Sequence, residues 1–165
     1  MGAKTAISQE RYLHTTFPDV DREYRDGEIV ERSLPDYLHG RVQGAIFAFF
    51  WALRNELALF PCVETRMRLR SGLVLIPDVA VFYPTEPSRV PDAPPILVAE
   101  VLSVDDRLTA VREKLEEYKG WGVPHVWLVD PHGKRLYVCD KGLMEVTSLQ
   151  VPELGIELAP YVIFE

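Results

Sequence analysis

The residue pattern predicts an α/β fold with a mixed central sheet flanked by helices and an N-terminal hairpin. Three observations carry this. Across Tyr37–Leu57, Val42, Ala45, Ile46, Phe49, Phe50, Leu53 and Leu57 recur at the spacing of one broad helix face. Short apolar runs at 73–82, 96–102 and 126–130 read as strands, the last of them buried. The order strand, helix, strand, hairpin from residue 96 onward suits a mixed sheet covered by helices.

The elements follow in order. Residues 1–20 form a peripheral N-terminal segment with a short helix around 8–13. Residues 23–31 contain Asp26-Gly27, the signal of a tight hairpin turn, with the second strand running to about Arg32. Asp36 caps the long helix that follows. Residues 62–69 alternate Val63, Thr65, Met67 and Leu69 as a strand, and Ser71-Gly72 separates it from the strand at 73–82. A loop with five prolines spans 84–95 and is expected over one sheet edge. After the strand at 96–102 comes a helix with Leu108, Val111, Leu115 and Tyr118 on one side, capped by Ser103 or Asp105 and ended by Gly120 or Gly122. Pro131-His132-Gly133 turns the strand at 126–130 into one at 135–139, and Leu158, Tyr161, Ile163 and Phe164 close the core.

With 165 residues, 47% of them apolar, the chain is expected to form a single domain, 1–165. Eighteen basic against 25 acidic residues give a net charge of -7, so any attraction to a nucleic-acid backbone has to be local. Its candidate sources are Arg66, Arg68 and Arg70 on one alternating strand face, and Arg107, Arg112, Lys114 and Lys119 in the later helix. They would form a positive rim around an acidic centre, although ordinary solvated surface explains each of them too. Cys62 and Cys139 make neither a CxxC pair nor a four-ligand set, which fits a reducing, cytoplasmic compartment. The longest apolar helix is interrupted by Arg54, Asn55 and Glu56, so no membrane association is expected.

Asp78 lies in the run Ile76-Pro77-Asp78-Val79, and Glu100 in Val98-Ala99-Glu100-Val101. Carboxylates in such apolar surroundings are costly unless they are paired, hydrogen-bonded or bound to a cation. On adjacent strands the two would hold Mg2+ or Mn2+ through hard oxygen ligands, with the Val101 backbone carbonyl as a third. Lys114, one helical turn before Tyr118, would bring an ammonium to stabilise a phosphate or orient water. The plain structural alternatives are a strand-ending acid, an acid paired with arginine, and a surface lysine with its stem along the helix.

These segments, together with Lys114-Leu115-Glu116-Glu117-Tyr118 and Gly122-Val123-Pro124-His125-Val126-Trp127-Leu128-Val129-Asp130, resemble the small "putative restriction endonuclease" family of the PD-(D/E)XK nuclease superfamily, over residues 24–164. The resemblance implies a restriction-endonuclease-like core, divalent-metal-dependent DNA hydrolysis and frequent dimerisation. Asp78 matches the aspartate of the proline-aspartate motif and Glu100 the later acidic position. The superfamily's usual lysine two residues on is replaced by Leu102, and Lys114 looks like its migrated substitute from the next helix. Glu31 and His39 are implied as additions to the cleft, with Gln43 one turn after His39. A capping or core-satisfied histidine is the alternative for His39.

The leading expectation is a cytoplasmic nuclease in which Asp78 and Glu100 are ligands, Lys114 the electrostatic catalyst and Glu31 or His39 an auxiliary. The alternatives are a catalytically silent DNA-binding or protein-interaction module on the same fold, and a small-molecule phosphohydrolase with a closed pocket. The helix Tyr37–Leu57 and residues 161–164 are candidate homodimer surfaces.

Overall fold

The computed structural model describes residues 6–165. The chain enters through a short helix, α1 (Gln9–Leu13), whose Ser8 cap accepts from the Arg11 N–H at 3.1 Å. β1 (Glu23–Arg25) and β2 (Glu28–Val30) pair antiparallel around Asp26 and Gly27, at φ 47° and 93°. Two successive left-handed residues are what the tightest hairpin turn demands, and Asp-Gly supplies them at little steric cost. The second strand stops short of Arg32, which instead lies in an irregular link to α2 (Tyr37–Leu57).

Asp36 caps α2 by accepting from the His39 N–H at 2.8 Å. Val42, Ile46 and Phe50, spaced by four, are buried on one stripe, and the Phe50 ring lies 6.0 Å from that of Trp127.

Next come β3 (Phe60–Val63), β4 (Met67–Arg70), β5 (Leu73–Leu75), β6 (Val79–Phe82) and β7 (Leu97–Val101). The two strands expected at 62–69 and 73–82 are each broken in two. The first bends at Glu64, which takes a left-handed backbone, φ 50°. The second breaks at Ile76-Pro77-Asp78, where proline has no N–H to continue a ladder. The breaks move the chain between sheets: β4 and β5 join the hairpin in a four-stranded sheet ordered β2-β1-β5-β4, whereas β3 and β6 belong to the main sheet.

The rest of the chain supplies α3 (Leu108–Trp121), β8 (His125–Asp130), β9 (Arg135–Cys139), β10 (Leu143–Val146), a small β11 (Leu149–Val151) and β12 (Ile156–Leu158) hairpin, and α4 (Pro160–Phe164). The main sheet runs β10-β9-β8-β7-β6-β3. Its β7 and β8 are parallel and joined through α3, while its other neighbours are antiparallel. α3 ends as expected at Gly122, φ 105°, but neither Ser103 nor Asp105 caps its start. Arg107 stands there without a side-chain cap, because Asp106 is engaged elsewhere: its carboxylate accepts from the Ser103 N–H at 2.7 Å and the Ser33 hydroxyl at 2.5 Å.

Strand alternation divides the core between the two faces of the main sheet. Val79, Val81, Leu97, Ala99, Val101 and Trp127 face α2, α4 and the small hairpin. Ala80, Phe82, Val98 and Leu128 face α3 and the four-stranded sheet, against Leu115, Tyr118, Met67 and Leu75. Ile163 closes the first layer as expected, but Tyr161 is 64% exposed. The N-terminal segment carries the fully buried Tyr12, which stacks on Tyr24 at 5.2 Å between ring centroids. Among the described residues no helix is long and apolar enough to cross a membrane.

Phe50 fills the contact between α2 and the sheet, so Phe50→Ala should destabilise the protein by about 3–5 kcal/mol in urea denaturation. Met144→Thr, at a position 53% exposed, should stay within about 0.5 kcal/mol of the parent.

Candidate functional site

Strand parity sets the site. Val79 pairs with Ala99 between β6 and β7, so the next step of that antiparallel register puts Asp78 opposite Glu100. Both are even-numbered with Ala80 and Val98, and therefore share the face that α3 covers. Both are buried. They line one wall of an open cleft of about 460 Å³ together with Glu23, Arg32, His39, Ser103 and Lys114.

Lys114 reaches this floor from α3. Its ammonium lies 2.8 Å from Glu100 Oε1 and 2.7 Å from Glu23 Oε1, and donates to the Ile76 carbonyl at 2.9 Å. Three donors meet three acceptors. Tyr118, one turn later, donates its hydroxyl to Glu100 Oε1 at 3.0 Å. Burial alone would lower the Lys114 pKa, but the Glu100 and Glu23 carboxylates raise it and hold the group protonated. Glu100 is pushed up from an ordinary 4.5 to about 8, chiefly by burial, with Lys114 opposing and the Asp78 and Glu23 charges adding to the rise.

Asp78 is held differently. The Val101 N–H donates to its Oδ2 at 2.6 Å, while Oδ1 lies 3.3 Å from both the Arg32 guanidinium and His39 Nε2. Burial would raise its pKa, but the His39 hydrogen bond and charge, Lys114 and the Val101 N–H outweigh it and hold the pKa below the usual carboxylate value. His39 is shifted up: burial opposes protonation, and Asp78, with Glu64 behind it, favours it more. The other His39 nitrogen, Nδ1, is 3.0 Å from the Ser103 hydroxyl. Gln43 donates to the Asp78 carbonyl at 3.0 Å and to Glu64 Oε1 at 2.9 Å. Arg32 also pairs with Glu64.

Asp78, Glu100, Lys114 and His39 are thus brought together, whereas Glu31 is not. Its side chain is 82% exposed on the cleft rim, 3.8 Å from Arg22. The hairpin acid that reaches the floor is Glu23, whose carboxylate also accepts from the Ile76 N–H at 3.0 Å. Val101 is tied to Asp78 through its N–H.

Sequence reasoning missed Glu23, Glu64 and the position of Arg32. Glu64 was hidden by the apparently unbroken alternation of 62–69, and nothing local marks the other two. Of the expected positive rim, Arg107 and Lys114 line the cleft, where among the described residues seven acids face four bases. Of the three strand arginines, Arg66 binds Asp21 at 2.6 Å and the carbonyls of Tyr12, Leu13 and Thr15, pinning the N-terminal segment. Arg70 lies 3.4 Å from Asp26 and 3.8 Å from Glu117.

Two donor sets share Asp78. In one, Glu100 is already committed to Lys114 and Tyr118. In the other, one ligand atom each from His39, Glu64 and Asp78 lie within 4.8 Å of one another. An imidazole and two carboxylates at that spacing fit one divalent cation.

Removing one partner of a buried ion pair strands the others, so Lys114→Met should cost about 3–5 kcal/mol in denaturation. Adding Glu100→Gln should recover part of that loss, giving a double variant more stable than Lys114→Met alone. Because the folded-state pKa of Glu100 exceeds its ordinary value, the folded protein binds the extra proton, and stability falls as pH rises from 4.5 through about 8. Urea midpoints of Glu100→Gln should lack that part of the decline.

Comparison with known proteins agrees with this architecture. A family model described as "Putative restriction endonuclease" matches residues 9–162. The fold is similar to the crystal structure of "a putative nuclease belonging to DUF820" from Anabaena variabilis ATCC 29413, with a TM-score of 0.81 at 19% identity, covering 96% of this chain and 97% of that one. At that identity the likeness speaks for the fold alone. No curated protein matches the chain. Since the family match runs through nearly every element that builds the cleft, the chain belongs to the Uma2 family, "Putative restriction endonuclease".

Proposed function

We propose that the protein is a divalent-metal-dependent nuclease that hydrolyses phosphodiester bonds of DNA. The observation that carries the reading is the placement of Asp78, which lines an open cleft with His39, Glu100 and Lys114, between the Glu100–Lys114 pair and a His39–Glu64 donor set whose Glu64 lies outside the cleft lining. The family's description as a restriction endonuclease and the description of the similar Anabaena variabilis protein as a nuclease support the same class of chemistry.

In this reading Asp78, His39 and Glu64 hold the cation, and the mixture of imidazole and carboxylate favours Mn2+ over Mg2+, which prefers oxygen ligands. A divalent cation there supplies Lewis-acid polarisation of a phosphoryl oxygen. The chain does the rest. The Val101 N–H and Gln43 keep Asp78 and Glu64 in place, and Ser103 holds the ring of His39. Glu100 accepts a proton from the attacking water in its ionised form, and because its pKa is raised to about 8 that form, and with it cleavage, grows as pH rises toward 8. Lys114 keeps Glu100 oriented and presents positive charge to the phosphate as charge develops.

A single domain working in the cytoplasm, as a homodimer on DNA, completes the proposal. The excess of acids lining the cleft favours a second reading, a catalytically silent binding module on the same fold.

Cleavage of single-stranded, double-stranded and branched DNA with Mn2+ or Mg2+ separates the two. The nuclease reading expects activity that chelator abolishes and that Asp78→Asn and Glu100→Gln each lower at least about 100-fold, with both variants folded. Chelator-resistant cleavage, or activity unchanged in both variants, would defeat it. DNA binding without any cleavage would support the silent module.

A further inference from the structure

Arg32 is the one cleft residue whose present partners are the two carboxylates of the candidate metal set. One guanidinium nitrogen pairs with Glu64, and the other lies 3.3 Å from Asp78 Oδ1. That same Asp78 oxygen is the one His39 Nε2 approaches, also at 3.3 Å. The guanidinium therefore stands where charge neutralisation of Glu64 and Asp78 is needed, its side chain only 13% exposed.

A divalent cation on His39, Glu64 and Asp78 would meet this guanidinium as a like charge at close range, competing for the same carboxylate lone pairs. Arg cannot escape by losing its proton. Its pKa is raised further, since the opposing effect of burial is outweighed by its bond and attraction to Glu64 and by Glu100 and Asp78. The side chain has to move. It stems from the irregular link between β2 and α2 and lines the cleft, so the way out leads into the groove. There a planar fork of donors matches two oxygens of a phosphodiester.

We propose that Arg32 is a displaceable counter-cation: it bridges Glu64 and Asp78 in the metal-free protein, yields them to the divalent ion, and then binds the substrate phosphodiester. This rests on the metal site proposed above. It explains how a cleft lined by more acids than bases accepts a polyanion, because the cation and the freed guanidinium arrive at the groove together. It also makes cation binding and phosphate binding mutually favourable, as linkage requires.

Calorimetric titration with Mn2+ tests the first half. Arg32→Gln should bind Mn2+ at least tenfold more tightly than the parent, Arg32→Lys should fall between the two, and Arg107→Gln, which removes a cleft charge without touching Glu64 or Asp78, should change affinity less than twofold. Equal or weaker Mn2+ binding by Arg32→Gln, while Asp78→Asn abolishes binding, would overturn the counter-cation and leave the metal site standing. Mn2+ binding unaffected by Asp78→Asn would overturn the metal site itself, and this inference with it. Should Arg32→Gln fail to fold, nitrogen NMR of the parent decides: the Arg32 guanidinium signal, identified by its loss in Arg32→Lys, should change from slow to fast solvent exchange on adding Mg2+. Unchanged exchange at saturating Mg2+ would reject displacement.

Fluorescence anisotropy with a labelled DNA oligonucleotide and Ca2+ tests the second half. Parent and Arg32→Gln should bind alike without metal, and the Ca2+-loaded variant should bind at least fivefold more weakly than the Ca2+-loaded parent. Equal affinities of the loaded forms would overturn the transfer to phosphate.

Discussion

One buried ammonium joins the parts of this protein. Lys114 comes from α3, Glu100 from the main sheet, Glu23 from the hairpin sheet, and the Ile76 carbonyl from the strand break between the sheets. All four elements are held at the distances a single Nζ allows. A buried cation is tolerable only when its donors are met and its charge balanced, and here the two conditions are satisfied by groups from separate layers. The Tyr118 hydroxyl on Glu100 extends the junction along the helix. The same junction forms the floor of the cleft, so architecture and chemistry depend on one set of contacts.

Pro77 is the backbone counterpart of that junction. By ending β5 and resetting the chain before β6, it frees Asp78 from ladder pairing and lets its carboxylate accept the Val101 N–H. β6 and β7 then present Asp78 and Glu100 to the same side through simple alternation. The α3 crossover, required by the parallel pairing of β7 and β8, delivers Lys114 to that side.

Much of this was legible in the residues because it rests on local rules. The α2 stripe, the Asp-Gly turn and the β7–α3–β8 succession follow from periodicity, caps and spacing, whereas the neighbourhood of Asp78, Glu100 and Lys114 was one of several readings of the spacing and was singled out by the family resemblance. What could not be read depends on contacts between distant segments. Glu23 is one of several acids around the hairpin until the second sheet folds over α3, and it, not Glu31, turns inward. Arg32 reads as the end of a strand until Glu64 and Asp78 draw it in. Glu64 itself interrupts an alternation that looks continuous, since no glycine or proline announces the bend. The arginines of 66–70 illustrate the reverse error, for two of them serve the protein's own acids rather than an external polyanion.

The left-handed backbone at Glu64 sets two demands against each other. A residue with a Cβ in that conformation costs about 1–2 kcal/mol, which glycine would avoid and asparagine would reduce. Either replacement would also remove the carboxylate that faces Arg32 and Gln43. The strain relieved by glycine or asparagine at position 64 is therefore set against the loss of a partner for the largely buried Arg32, and the glutamate holds its strained backbone through the ion pair that the strain positions.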